Sequence, residues 1–475
     1  MSEWSGRRVV ILGAARQGTA LARYLAKRGA QVTLNDRRSG EELQIAREAL
    51  ADIDNQVNHP ICWIVGGHPM DILDEIDLLC ISGGVPLNLP VVVEAVRRGI
   101  PLSNDSQIFM EDVPCKVVGI TGSAGKTTTT TLVGRIARAA AEKGYEFSGI
   151  QQVWIGGNIG SPLIAMLDDM QADDLAVMEL SSFQLEIMTV SPQVAAVLNI
   201  TPNHLDRHSS MEVYTAAKAN ILEYQKAGDI AVLGREDPGA WSLTRHVKGD
   251  LMSFGLDRSA DTAIPQTYVH GDDLYFERSD RRRGLMSRSD IMLRGEHNLM
   301  NVLAASTIAL AAGLPVEALK EGVQGFKGVP HRLEFIRNWG GAAWYNDSIA
   351  TAPERTIAAI RSFDEPLVLL VGGRDKGLPW DDFARLAHQR VDHLVIFGEA
   401  AGKIIEALEV AGSFNAGAAG PTITRCPGLS QAVTAASGIV HPGDVVLLSP
   451  GGTSFDEFND FEERGLCFTQ LVMQL

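Results

Sequence analysis

The sequence is poor in cysteine, in positive charge and in long apolar runs. Its five cysteines (Cys62, Cys80, Cys115, Cys426 and Cys467) are odd in number and far apart, with no CxxC pair. That excludes a disulfide scaffold and a cysteine-based zinc module, and predicts reduced thiols packed mostly in cores. No stretch of about 20 apolar residues occurs, which excludes a membrane-spanning helix. The opening MSEWSGRRVVILG has no signal-peptide pattern. A soluble cytoplasmic protein, without membrane insertion, is expected. Lys and Arg number 42 against 58 Asp and Glu, a net charge of −16. This argues against a nucleic-acid partner, which needs clustered cations, but allows small anionic substrates. The one basic cluster, RSDRRRGLMSR at 278–288, reads as a solvated hairpin or loop. Low-complexity tracts are also missing, since the 47 glycines and 20 prolines are scattered.

What is present is a repeated αβ grammar. The chain has 475 residues, 45% of them hydrophobic, which suits roughly three domains of about 150 residues. We expect an α/β protein with domains at 1–112, 113–328 and 329–475. The first opens with the apolar run Val9 to Leu12, the turn Gly13-Ala14-Ala15-Arg16-Gln17-Gly18, a helical pattern through Arg28, and a second apolar run ending at Asp36. Strand, glycine turn, helix, strand and acid is the order of a nucleotide-binding βαβ unit, with GxxxxG in place of GxGxxG. Asp36 stands where it could accept from a ribose hydroxyl, although a non-binding Rossmann-like turn reads equally from this pattern. IDLLCIS and PLSND look like further strands.

The second block carries GITGSAGKTTTT, 119–130. The usual phosphate-loop signature GxxxxGK[ST] would put its first glycine at 120, where Ile120 stands. CKVVGITG is nevertheless a strand running into glycines, and a helix should follow from Lys126. Gly122, Ser123, Ala124, Gly125 and the helix start can turn amides toward phosphate. Lys126 can reach the terminal phosphates, the Thr127 hydroxyl can ligate magnesium, and Thr128 continues the first helical turn. The strands LAVMEL and VAAVLNI end at Glu179 and near Ile200. Ligands collect beyond the carboxyl ends of parallel strands, so Lys126, Glu179 and His204 should share a crevice. Glu179 suits a hard cation, or else caps a helix or pairs with a cation. His204 and Asp206 lie in the neighbouring loop, where a histidine also serves structurally. Lys218 reads by composition as a solvated helical lysine. The block should close with a helix over 295–313. In the third block, AAWYN, PLVLLVGG, HLVIFGE and DVVLLSPGG read as strands delivering the loops DSIATAPERT, RDKGLPW and TSFDEFNDFEERG.

Taken together, GITGSAGKTTTT, GGNIG at 156–160, MELSSFQLE at 178–186, LNITPNHLDRH at 198–208, YTAAKANI at 214–221, GEHNLMN at 295–301, GVPHRLE at 328–334 and LLSPGGTSFDEFNDFEERG at 447–465 resemble the Mur ligases. The resemblance spans all three blocks in order and is best to members that add glutamate. It implies a Rossmann-like N-terminal domain for a UDP-sugar, a P-loop central ATPase domain and a Rossmann-like C-terminal domain bringing the amino acid. The implied reaction is ATP-dependent amide formation in peptidoglycan synthesis, joining D-glutamate to UDP-N-acetylmuramoyl-L-alanine through an acyl phosphate, by a monomer. Two Mg²⁺ ions are implied, with Thr127, Glu179 and His204 as ligands. The resemblance also implies a CO₂-derived carbamate on Lys218 that helps place the second ion. It further implies that Asn158 contacts the substrate near its reacting end. Asn301, Arg332 and Asp347 would contact ATP from the closing side. Thr351, Lys376, Ser454 and Phe461 would receive glutamate, and Arg16, Gln17, Asp36 and Arg37 the uridine diphosphate.

One loop departs from the family pattern. The familiar NDSKAT followed by Asn is here Asn346-Asp347-Ser348-Ile349-Ala350-Thr351-Ala352-Pro353. Ile349 replaces a lysine, Lys376 remains, and Pro353 suits a first helical turn. An L-glutamate-adding variant is therefore an alternative. Folylpolyglutamate synthase lacks the domain ahead of the phosphate loop. Another Mur ligase, a nucleotide switch without ligation and an NAD-dependent dehydrogenase explain fewer of these residues.

Overall fold

The computed structural model describes residues 3–54, 56–143, 149–202, 207–414 and 420–475. Three sheets organise them. The first has five parallel strands in the order Cys62–Val65, Gln31–Asp36, Arg8–Leu12, Leu78–Ile81, Leu102–Ser103. Its central strand leads through the glycine turn into the helix Arg16–Lys27. Gly18 is dictated by contact, because a Cβ there would lie 1.8 Å from the Gly13 carbonyl oxygen.

The second sheet has nine strands. Seven are parallel, in the order Gln266–His270, Asp250–Phe254, Ile230–Gly234, Val194–Val197, Lys116–Thr121, Leu175–Glu179, Val153–Gly157. Apart from the exposed Lys116, the middle strands are buried along their length, as parallel strands covered on both faces require. The antiparallel strands Asp273–Arg278 and Arg281–Ser287 complete the sheet. They contain the basic cluster, which is a hairpin. The Arg282 guanidinium lies 3.8 Å from the Tyr275 ring centroid, and Arg283 pairs with Glu317. The expected closing helix runs over Glu296–Ala311.

The first two sheets belong to one compact unit, Met1–Ile291 with His297–Gln324. Inside it, the helix Asp105–Asp112 is joined to the short helix Ser182–Leu185 and the residues after it by polar side chains. Asn104 Nδ2 donates to the Gln184 carbonyl at 2.9 Å, Gln184 Nε2 to Ser106 Oγ at 2.7 Å, and Gln107 Nε2 to Thr189 Oγ1 at 3.1 Å.

The second unit comprises Met292–Glu296 and Gly325–Leu475. Its six-stranded sheet is ordered Glu334–Trp339, Ala342–Asn346, Val445–Gly451, Leu367–Gly372, His393–Phe397, Thr422–Cys426. Only the first pair is antiparallel. Pro353 opens the helix Pro353–Ile360, as expected. All five cysteines are free; Cys80, Cys115 and Cys426 are buried and Cys62 is exposed. Among the described residues, no helix is long and apolar enough to cross a membrane.

Candidate active site

The strand Lys116–Thr121 ends in the phosphate loop, and the helix Lys126–Glu142 begins at its far side. Gly125 caps that helix at φ +80°, and a Cβ there would lie 2.2 Å from Asn301 Oδ1. The loop is held from below by the Val194–Val197 strand and its continuation. Ser123 N donates to the Asn199 carbonyl at 2.9 Å, and Ala124 N to Asn199 Oδ1 at 2.8 Å. Lys126 Nζ donates to the Gly122 carbonyl at 2.9 Å. Thr128 is buried in the helix.

Glu179 ends the adjacent strand, 2% exposed. Its Oε2 accepts from Thr127 Oγ1 at 2.9 Å and its Oε1 from Asn158 Nδ2 at 2.8 Å. Phosphate loop, carboxylate and the GGNIG loop thus meet at the carboxyl ends of three neighbouring strands. A hydroxyl and a carboxylate converging beside a phosphate cradle are hard oxygen donors that fit Mg²⁺. Among the described residues, no three His, Cys, Asp or Glu side chains cluster as a metal site. His204 and Asp206 lie outside the described residues.

Lys218 corrects its compositional reading. On the helix Met211–Glu223 it is 1% exposed, not solvated. Its Nζ donates to the Gly122 carbonyl at 2.9 Å and Thr121 Oγ1 at 3.2 Å. Burial drives its ammonium well below the usual lysine value; the Lys126 charge adds to this and Glu179 opposes it. A buried amine kept ready to lose its proton is a nucleophile in waiting. Asn301 lies in the phosphate-loop unit, within the expected central domain, where its Oδ1 is 3.4 Å from Thr129 Oγ1.

In the first sheet, Arg16 Nη1 donates to the Gly160 carbonyl at 3.2 Å, tying the glycine turn to the GGNIG loop. The Gln17 amide oxygen would be 3.6 Å from a Cβ on Gly83. Arg37 is exposed. Asp36 is turned inward. Its carboxylate accepts from Ala14 N at 2.8 Å and pairs with Arg38 at 2.8 Å. Burial alone would raise its pKa, but Arg38 and the amides of Ala14 and Arg38 outweigh that and hold the carboxyl well below its usual range.

The second unit gathers its own set. Asp347 is buried at the end of the strand Ala342–Asn346; its Oδ2 accepts from Ser449 Oγ at 2.8 Å and its Oδ1 from Leu333 N at 3.2 Å. Burial pushes its pKa up to about 7, against the hydrogen bonds and the charges of Arg332 and Arg355. Lys376 Nζ lies 3.3 Å from Thr351 Oγ1. Ser454 is 2% exposed, and the Phe461 carbonyl accepts from Ser348 Oγ at 2.8 Å.

Three family models match in succession: "Mur ligase MurD-like, N-terminal domain" over residues 7–104, "Mur ligase middle domain" over 120–309, and "Mur ligase, glutamate ligase domain" over 331–452. A relative from Symbiobacterium thermophilum, named UDP-N-acetylmuramoylalanine–D-glutamate ligase, is 39% identical over 98% of both chains. The chain belongs to the Mur ligase family. A Pelotomaculum thermopropionicum relative of the same name is 37% identical over 100% of this chain and 99% of its own. Among solved structures, the UDP-N-acetylmuramate-alanine ligase of Thermotoga maritima is 19% identical, with a TM-score of 0.58 over 98% of this chain and 99% of that one. MurF of Acinetobacter baumannii is 18% identical, with a TM-score of 0.59 over 97% and 93%. These two show the fold.

Within this Mur ligase, sequence reasoning missed Arg464. Its guanidinium, 1% exposed, bonds Ser348 Oγ at 3.0 Å and the carbonyls of Ser348 at 2.8 Å and Gly452 at 3.1 Å. The signal was available: Arg464 shares the buried face of the helix Phe461–Gln474 with Phe468 and Val472, four and eight residues on, so a cation occupies a core position.

Proposed function

We propose that this Mur ligase adds D-glutamate to UDP-N-acetylmuramoyl-L-alanine, consuming ATP and forming ADP and phosphate, in peptidoglycan precursor synthesis. The observation that carries the reading is the meeting of Thr127, Glu179 and Asn158 beside the phosphate loop, in a chain similar from end to end to D-glutamate ligases. Domains 1–112, 113–328 and 329–475 would take UDP-sugar, ATP and amino acid, a division that the three family matches support.

A carboxylate is a poor electrophile at neutral pH. The muramoyl-alanine carboxylate oxygen therefore attacks the γ-phosphorus, the bond to ADP breaks, and an acyl phosphate forms. The glutamate amine attacks its carbonyl carbon and loses a proton, and phosphate departs with the original carboxylate oxygen. Bringing a carboxylate to a triphosphate needs positive charge. Lys126 supplies one cation at the phosphate loop. Mg²⁺ held by Thr127 and Glu179 would neutralise further phosphate charge. His204 and a carbamate on Lys218 would hold a second ion; the depressed Lys218 amine supports that role, because CO₂ adds to the neutral form. Gly122, Ser123, Ala124, Gly125, Thr128 and Asn301 would line the nucleotide, with Arg332 and Asp347. Arg16, Gln17, Asp36, Arg37 and Asn158 would serve the UDP-sugar. Thr351, Lys376, Ser454 and Phe461 would serve glutamate.

An isotope test addresses the acyl phosphate. With the acceptor carboxylate labelled with ¹⁸O, the released phosphate should carry one labelled oxygen per turnover. Unlabelled phosphate accompanying amide product would contradict it.

A further inference from the structure

Glutamate brings two carboxylates, yet the loop that should receive it carries the uncharged Ile349 where the family resemblance implies a lysine. The Ile349 carbonyl accepts a hydrogen bond from Arg355 Nη1 at 3.2 Å. Arg355 stands at the start of the helix Pro353–Ile360 and turns back across the loop that precedes it. The loop itself is firmly held. Ile349 N donates to the His331 carbonyl at 3.1 Å, and Gly451 N to the Ala350 carbonyl at 2.8 Å. Arg464 clamps Ser348 from within the fold. So a solvent-accessible guanidinium is stationed on a hydrogen-bonded loop, at the carbonyl of the uncharged Ile349.

We propose that Arg355 is the second cation of the amino-acid subsite, so that it takes one carboxylate of the incoming glutamate and Lys376 the other. The proposal rests on the ligase reading above. A guanidinium suits the task, since its planar fork can grip a carboxylate with two parallel N–H bonds while another N–H keeps the Ile349 carbonyl. The charges already sense one another. Burial lowers the Lys376 ammonium's pKa, the charges of Arg355 and Arg464 lower it further, and Glu354 opposes them. Two cations that repel each other are relieved when each pairs with one carboxylate of the amino acid. Arg464, buried and bonded to Ser348 and Gly452, is a positioning residue for the same loop.

Steady-state phosphate release by the full-length protein, with ATP, Mg²⁺ and UDP-N-acetylmuramoyl-L-alanine, separates the possibilities. Wild type must show glutamate-dependent release, and its absence would overturn the ligase reading itself. Given that release, Arg355→Gln keeps a donor for the Ile349 carbonyl but removes the charge. It should raise KM for glutamate on the order of 10- to 100-fold, the worth of a charged hydrogen bond, with KM for ATP within about twofold. Arg355→Lys should recover part of the loss, as should Ile349→Lys combined with Arg355→Gln. A normal glutamate KM in Arg355→Gln would overturn the proposal, as would a parallel rise in both KM values.

Discussion

Asp105→Asn should stabilise the protein at alkaline pH. Asp105 is 4% exposed at the start of the helix Asp105–Asp112, and its Oδ1 has no hydrogen-bond partner among the described residues. Burial raises its carboxyl from the ordinary 3.8 to about 7, against the opposing amides of Asp105 and Ser106. Below pH 3.8 both folded and unfolded chains are protonated there, and the site costs nothing. Between 3.8 and 7 the unfolded chain ionises while the folded one holds its proton, so stability falls with rising pH. Above 7 the loss is complete. The gap of roughly three pH units, at 1.36 kcal/mol each, amounts to about 4 kcal/mol. Asparagine resembles the neutral acid and cannot ionise. The variant's advantage over wild type should therefore grow from about 1.5 kcal/mol at pH 5 to about 4 kcal/mol at pH 8, less whatever the site gains by relaxing. Urea unfolding of both proteins at the two pH values measures it, and differencing them cancels other titrations. A gap that does not widen with pH, or a variant less stable at pH 8, would refute the reasoning.

Three further outcomes are expected. Gly125→Ala forces an alanine to φ +80°, against Asn301 Oδ1; the backbone alone costs about 1–2 kcal/mol, and calorimetric ATP affinity should fall at least tenfold, whereas unchanged affinity would remove the loop from the nucleotide site. Lys218→Ala should abolish ligation without rescue by bicarbonate, and wild type with ¹³C-bicarbonate should show a carbamate carbon resonance that the variant lacks; near-normal activity of the variant would sink the carbamate. Lys376→Ala should raise KM for glutamate on the order of tenfold, as for one charge-assisted bond, with KM for ATP nearly unchanged; an unchanged glutamate KM would remove Lys376 from the subsite.

The phosphate loop was legible because glycines between an apolar strand and a helix leave few alternatives. Glu179 was legible because an acid at the end of a buried strand has to do something. The parallel strands read well wherever they were continuously apolar. The antiparallel pieces at the sheet edges read less sharply, although the basic cluster was expected as a hairpin or loop and is a hairpin. Glu334–Trp339 mixes charge with aromatics along an intermediate, half-wet edge, and Arg281–Ser287 begins with three exposed arginines. Lys218 was illegible because its burial depends on Thr121 and Gly122, about a hundred residues away in sequence. Arg355 was illegible for the opposite reason: a helix-start arginine looks solvated until its side chain is seen folded onto the Ile349 carbonyl.

The most direct test of the whole account is phosphate release with ATP, Mg²⁺ and UDP-N-acetylmuramoyl-L-alanine, run in parallel with D-glutamate and L-glutamate. Release is expected only when acceptor and D-glutamate are both present, with Ile349 tolerated. Release with L-glutamate alone, or with neither enantiomer, would contradict it.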